Sequence, residues 1–562
     1  MDAWRIDELQ NVGLAVRETA RRMPDELAVA CPAAGQTKKL PAGQKFQYDT
    51  ITFSELEKRS NQLANGLKSL GITQGVRVAL MVPPGIDFVC HVFALYKTGA
   101  VTILIDPGMG RKNMIKCLAA AKPEGIVGIR KAQLARWIFR SSFRSCRLNV
   151  STDGYFPWCQ QSKHFLAKCS TDFDPPESTI EHEAAIIFTT GSTGPPKGVL
   201  YRHRNFIEQA QQIRDYFQLK PGSVDVSGFP LFALFNAAMG TTTVFPEMDA
   251  TRPAEIYPPN LIDAVNQFNA DQSFGSPALW NTVSKYCIEH QQTLPTIRRV
   301  LTAGAPVPPE VLASVKRIIA PDGDVYTPYG ATEALPVACN SATEVLGETA
   351  ADTNRGKGTC VGHRFERIQW KVIRIDDGPL KDISQTESLP QGEIGELMVQ
   401  GPAVTDQYVT RTEANADHKV ADGDSFWHRM GDVGYLDPSG RFWFCGRKAH
   451  RVQAKPGTMF TVPCEAIINT HEKVYRSALL GLGSPGEQTP VIVVEPYAGD
   501  WPTTSSQSQQ LIDQIKSLAS QHELTMPIQH VLLKRALPVD IRHNSKIFRE
   551  QLRPWAKDQL NQ

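Results

Sequence analysis

From Thr52 the run FSELEKRSNQLANGLKSLG places apolar residues three and four positions apart and ends at Gly71, which predicts an amphipathic helix closed by a glycine. The run VRVALMV behind it predicts a strand. The most apolar stretch, residues 88–105, is interrupted by His91, Lys97 and Gly99. It reads as a helix ending near Gly99 and then a buried strand, VTILI, and not as a membrane span. Helix and strand thus alternate as in doubly wound α/β folds. The alternation recurs twice more, with a short apolar strand at 184–189, a helix at 206–217, a helix leading to a strand across 264–274, and a strand at 298–301.

Beyond Gly392 the pattern changes to glycine-punctuated short strands, GEIGELMVQGPAV and GYLDPSGRFWFCGR, with PSG marking a hairpin turn. This predicts a small β-rich subdomain. The last stretch mixes strands such as 491–494 with a helix near 509–523, as a small α+β lid would. The expected fold is α/β: a large N-terminal domain, residues 1–446, of doubly wound subdomains plus the β-rich one, followed by a small C-terminal lid, residues 447–562. No solenoid period or long low-complexity tract interrupts it.

A chain of 562 residues suggests roughly two to four domain-sized units and a large interior. Apolar residues at 41% and charged residues at 21% are the balance of a compact soluble protein. Sixty Lys and Arg stand against 58 Asp and Glu, so a net charge of +2 supplies no global field for nucleic acid or an anionic membrane, and any anionic ligand must be held locally. The eleven cysteines form no C-x-x-C pair and are odd in number, which points to reduced thiols in a cytoplasm rather than a zinc ribbon or disulfide framework. The N-terminal MDAWRIDELQNVGLAV has acids where a signal peptide has bases.

The candidate chemistry centres on FTTGSTGPPKG, residues 188–198. A strand end meets a loop of Thr189, Thr190, Gly191, Ser192, Thr193 and Gly194 that closes on Lys197. Glycines let backbone N–H groups turn inward, hydroxyls add donors and one lysine adds a point charge, a combination that offsets the desolvation of a polyphosphate. Pro196 before Lys197 and Gly198 after it depart from G-x-x-x-x-G-K-[ST], so a kinase or GTPase loop is disfavoured.

This segment resembles the phosphate-binding signature of the adenylate-forming superfamily, which includes acyl-CoA synthetases, luciferases and peptide-synthetase adenylation domains. Further landmarks follow in order along nearly the whole chain. YGATEALP, residues 329–336, resembles the family's second core motif, which implies Tyr329 and Gly330 at the nucleotide, Thr332 at the phosphate and Glu333, with Thr189, at Mg²⁺. TAGAPVP, residues 302–308, resembles the adenine-pocket stretch and implicates Gly304 and Ala305. HRMGDVGYLDPSGRFWFCGRK, residues 428–448, matches the ribose-binding aspartate, here Asp432, and the boundary arginine, Arg447. RHNSKIFR contains Lys546, which resembles the lysine that neutralises charge during adenylation. The resemblance implies ATP as substrate, Mg²⁺ as metal, and a mobile lid that rotates between two half-reactions.

Some positions depart from the acyl-CoA synthetase pattern. The hinge reads GRKAHRVQAKPG, with His450 and Gln453 where an aspartate and a lysine are expected and one more residue before Gly457. Ser545 replaces the glycine before the catalytic lysine, and Ala233 stands where many relatives carry a histidine near the acyl carboxylate. These features, with LIDPGMGRKNM, GVLYRHRNF and the RHNSKI ending, resemble the olefin-pathway β-lactone synthetases. That resemblance implies ATP-dependent activation of a long-chain 2-alkyl-3-hydroxy acid, attack by its own hydroxyl, and assembly with other olefin-pathway enzymes. His203 and His450 are candidate bases for that hydroxyl. The alternatives are a fatty acyl-CoA synthetase or fatty acyl-AMP ligase and, in another class, a nucleotide-binding scaffold without activity. The partners expected are small molecules, with no nucleic acid and no integral membrane segment.

Overall fold

The computed structural model describes residues 6–41, 43–189, 195–540 and 546–561. The first predicted helix runs Phe53–Ser69 and is started by Thr52: its hydroxyl accepts the Glu55 N–H at 3.2 Å while the Glu55 carboxylate accepts the Thr52 N–H at 2.9 Å. This reciprocal cap satisfies two of the donors that a helix start leaves open. The helix buries Phe53, Leu56, Leu63 and Leu67 against the helix Ile86–Thr98, which ends at Gly99 with φ of 76°.

That second helix is buried along nearly its whole length, Lys97 included. The Lys97 ammonium meets Glu57 at 2.5 Å, Ser60 Oγ at 2.7 Å and Asn61 Oδ1 at 2.8 Å, so a charge inside the core has its three donors used. The strand Val101–Leu104 follows it. Among the described residues no helix is long and apolar enough to cross a membrane, and all eleven cysteines are free thiols.

Two large sheets carry the alternation. In the first, seven strands run in the order Gln160–Gln161, Leu148–Ser151, Gly125–Gly128, Arg77–Met81, Val101–Leu104, Glu183–Phe188, Gly198–Arg202, parallel except for the last pair. The second, of nine strands, brings Val224–Ser227, Gln272–Gly275, Arg299–Thr302 and Asp324–Ala331 together in parallel and continues through the antiparallel strand Ala334–Ser341 to the edge strand His363–Arg364. The helix expected at 206–217 begins three residues earlier, His203–Phe217.

The expected β-rich region is a six-stranded sheet built on Ser425–Leu436 and Phe442–Arg447. The PSG hairpin is closed by the Gly440 N–H on Asp437 O, and Asp437 also accepts from Arg441 and Trp443. Past Arg447 the chain forms a small hairpin and a three-stranded sheet, with a core around Ile468, Leu479, Ile492 and Ile515. The helix expected at 509–523 is Ser505–Ser520, because Thr504 and Gln507 form the capping box.

Candidate active site

The strand Glu183–Phe188 delivers Thr189, and the return strand Gly198–Arg202 begins just after Lys197. Thr189 N–H donates to Lys197 O at 3.0 Å, and Lys197 N–H donates to Thr189 Oγ1 at 3.0 Å. These two bonds close the neck of the glycine-rich loop. Thr190, Gly191, Ser192, Thr193 and Gly194 lie outside the described residues.

The Lys197 ammonium sits 4.6 Å from the Tyr408 ring centroid and 3.1 Å from His418 Nε2. His418 Nδ1 lies 3.1 Å from the Arg429 carbonyl oxygen, which can only accept, so Nδ1 carries the proton and Nε2 accepts from Lys197. Burial and the neighbouring ammonium hold His418 below the usual imidazole range, in the neutral form this geometry needs. On the other side of the ring, Tyr408 OH donates to Glu333 Oε1 at 2.6 Å. Glu333 is fixed by its own backbone, whose carbonyl accepts Thr405 N–H and Oγ1–H at 2.9 and 3.0 Å. Lys419 lies 5.8 Å from the Tyr408 ring and donates to Thr405 O; burial pushes its ammonium down to about 7, with Glu333 pulling the other way. Two ammonium groups and one carboxylate thus surround a single aromatic ring, a setting that favours a polyanion with a bound cation.

A second cluster lies on the paired strands Ser425–Leu436 and Phe442–Arg447, where Asp432 stands opposite Arg447. Asp432 accepts from Tyr329 OH at 2.5 Å and pairs with Arg447 at 2.8 Å. Burial pushes the Asp432 carboxyl up, while Arg447, Tyr329 and Lys546 pull it down. Gly330 is required by packing: a Cβ there would meet Ala334 O at 2.6 Å, in the tight turn that presents Thr332 and Glu333. Tyr201 OH fixes that turn by donating to Thr332 O at 2.6 Å. Gly304, at φ of 96°, and Ala305 follow the strand Arg299–Thr302, whose neighbour in the sheet carries Tyr329.

His203 is corrected as a candidate base. It is fully buried at the start of its helix, its Nδ1 accepts the Val12 N–H at 3.3 Å, and its ring packs edge-on against Tyr96. Burial pushes it down to about 3, far below a working general base. His450 is also pushed down to about 3, but by burial together with Arg549, Arg447 and Arg553. Gln453 lies opposite Thr458 in the hairpin formed by Val452–Ala454 and Gly457–Met459. Ala233 is buried in the helix Phe232–Met239, and its neighbour Phe232 stacks on Phe274 with centroids 4.5 Å apart. Ser545 lies outside the described residues.

Tyr408, His418 and Lys419 were not legible as site residues, and neither was the buried Arg429–Glu396 pair at 2.6 Å. His418 is 221 positions from Lys197, and no local spacing marks it.

A family model described as AMP-binding enzyme matches residues 16–409. The chain belongs to that family. The chain is 42% identical to an olefin beta-lactone synthetase of Stenotrophomonas maltophilia (strain K279a), over 98% of this chain and 98% of the relative. It is 40% identical to an olefin beta-lactone synthetase of Xanthomonas campestris pv. campestris, over 99% of each. Among solved structures it is similar to an anthranilate CoA ligase in complex with anthranoyl-AMP, with a TM-score of 0.79, 17% identity, and coverage of 99% of this chain and 100% of that one. An amide bond synthetase from Marinactinospora thermotolerans gives 0.76 at 20% identity, covering 97% and 99%. These likenesses show that the fold is that of adenylate-forming enzymes.

If His418 holds Lys197 by accepting from it, His418→Phe lowers kcat/KM for ATP about tenfold, whereas His418→Gln, whose Oε1 still accepts, retains most of it. Protonation would turn Nε2 into a donor facing an ammonium. The wild-type rate should therefore hold down to pH ~6.5 and fall only below it, since the folded pKa is depressed below that ordinary value. An equal loss in both variants speaks against the assignment.

Proposed function

We propose that the chain uses ATP to activate a long-chain 2-alkyl-3-hydroxy acid and closes it to a β-lactone. The observation that carries the first step is the convergence of Lys197 and Glu333 around Tyr408 with the Asp432–Arg447 clamp nearby. In that step a carboxylate oxygen attacks the α-phosphorus and pyrophosphate leaves. Lys197 meets the phosphates, Thr332 adds a contact, Asp432 accepts from the ribose hydroxyls, Arg447 orients Asp432, and Gly304 and Ala305 border the adenine. The donor set fits Mg²⁺: Tyr408 occupies Glu333 Oε1, so Glu333 Oε2 and Thr189 Oγ1 are the oxygens that would hold the ion. When bound, the ion neutralises phosphate charge.

In the second step the 3-hydroxyl oxygen attacks the acyl carbon, its proton passes to a base, and AMP leaves. An internal nucleophile beside the adenylate needs no thiol channel, which suits the altered hinge at His450 and Gln453. Similarity at 42% and 40% identity to proteins named for this reaction supports the reading. We take residues 447–562 as a lid that rotates between the steps. His450 lies in that segment together with Arg549 and Arg553, and burial is the first cause of its low basicity, so a rotation restores a working base only where it opens the His450 ring to water. His450→Gln should then slow lactone release about 10²-fold while ATP–pyrophosphate exchange stays near wild type; equal loss of both would remove His450 from the second step.

The deciding experiment incubates the protein with ATP, Mg²⁺ and a long-chain 2-alkyl-3-hydroxy acid, with and without coenzyme A, and weighs the product. A product one water lighter than the acid, formed without thiol, is expected. A thioester, or an adenylate that goes no further, overturns the reading.

A further inference from the structure

The helix Arg130–Ile138 is amphipathic in the reverse sense. Its inward anchor is polar: Gln133 is buried and donates to Ile126 O at 3.1 Å and Val150 O at 2.9 Å. Its outward face carries Leu134, Trp137 and Ile138, three and four positions apart and 45%, 54% and 60% exposed. Phe139 continues the face. Beside it runs the loop with Tyr155 and Trp158, 70% and 81% exposed, joined to the helix by the Arg130 N–H on Asp153 Oδ1 at 2.7 Å and by Arg136 against Cys159. Among the described residues, six of the twelve exposed large apolar side chains thus fall between positions 134 and 158. Trp158 holds a left-handed φ of 58°, a conformation bulky residues avoid, while its ring points into solvent.

Charge on this side is mostly positive, and its acid Asp153 is paired with Arg130 at 3.6 Å. From Arg111 to Arg147 the sequence has ten Lys and Arg and a single acid, Glu124, a local charge of +9. The whole chain carries +2, so everything outside this stretch carries −7. Lys131, Arg140, Arg144 and Arg147 are exposed around the apolar face. A duplex or single-stranded nucleic acid would answer the cations and leave the aliphatic face in water. The core of a protein interface is depleted in charge, unlike this face. Tryptophan, phenylalanine and aliphatic side chains ringed by Lys and Arg on a helix lying flat on the surface match the interface of an anionic bilayer, where apolar groups enter the headgroup boundary and cations meet lipid phosphates.

We propose that the face formed by the helix Arg130–Ile138 and the Tyr155–Trp158 loop docks the protein peripherally on anionic lipid bilayers. This docking stands apart from the reaction proposed above. The test is flotation of the full chain with vesicles of pure phosphatidylcholine and of phosphatidylcholine mixed with phosphatidylglycerol, at low and high salt. Wild type should float with the mixed vesicles only, and high salt should release it. Trp137→Ala with Trp158→Ala, and separately Arg140→Glu with Arg144→Glu, should each lower the partition coefficient about tenfold or more. Both pairs should keep the wild-type melting temperature and ATP–pyrophosphate exchange. Tryptophan emission should shift to the blue on mixed vesicles in wild type and far less in the tryptophan pair. No flotation at low salt, or flotation untouched by either pair, overturns the proposal. So does a change of oligomeric state or loss of a protein partner in these variants without loss of lipid binding.

Discussion

Lys546→Ala should cut ATP–pyrophosphate exchange by about 10²- to 10³-fold, the usual cost of removing one positioned charge from a transition state. The residue is held through its backbone: Asp540 N–H donates to Lys546 O at 3.1 Å, Lys546 N–H donates to Asp540 Oδ1 at 2.9 Å, and Val539 pairs with Ile547. Those bonds belong to the backbone and to Asp540, so they survive loss of the ammonium. The ammonium charge favours the ionised form of Asp432, alongside Arg447 and Tyr329. Its charge matters most where negative charge builds as the α-phosphorus is attacked, so kcat should fall more than the ATP KM rises. Lys546→Arg keeps the charge with a different reach and should recover part of the rate. Exchange within threefold of wild type in the alanine variant would remove Lys546 from the adenylation step.

Contiguous features were legible in the sequence and long-range ones were not. The helix Phe53–Ser69 carries its own cap and periodicity, and the hairpin before Arg447 carries its own turn, so both can be read from neighbouring residues. The loop closing on Lys197 is equally local, and the structure adds the neck at Thr189. Its partners are different in kind. Tyr408 comes to Lys197 through long-range backbone pairing with Val199, and His418 and Lys419 follow at the end of the helix Ala414–His418 and the start of the strand Lys419–Asp422; nothing in the spelling of DQYVTRTEANADHK announces it. His203 shows the converse: its residue type suggested a base for the hydroxyl, while burial against Tyr96 makes it part of the core. Burial is a property of the assembled sheets, so a side chain's protonation is the last thing a sequence discloses.

The same sheet supplies the largest expected effect on stability. Arg429 and Glu396 are each 1% exposed and 2.6 Å apart, and Lys448 reaches the same Glu396 oxygen at 3.0 Å. Arg429 also donates to the carbonyls of Asp376, Gly378 and Asp417, while its own carbonyl accepts from His418 and it lies three residues before Asp432. Arg429→Met leaves a buried carboxylate with one partner and strips the Arg429 bonds from the carbonyls of Gly378 and Asp417, Asp376 O keeping Lys448 at 3.0 Å, and should cost about 3–5 kcal/mol. At roughly 2–4 °C per kcal/mol for a domain of moderate size, calorimetry should show a drop in Tm on the order of 10 °C. ATP affinity should fall with it, since strand positions 429 and 432 hold the His418 and Asp432 ends of the site together. Adding Glu396→Gln removes the stranded charge, and Lys448, whose side chain is 18% exposed, can turn to water. The double variant should therefore be more stable than Arg429→Met alone, a non-additivity that a simple loss of side-chain volume does not produce. Additive losses would mean that the carbonyl contacts of Arg429, and not its charge pair, carry the stability of this strand.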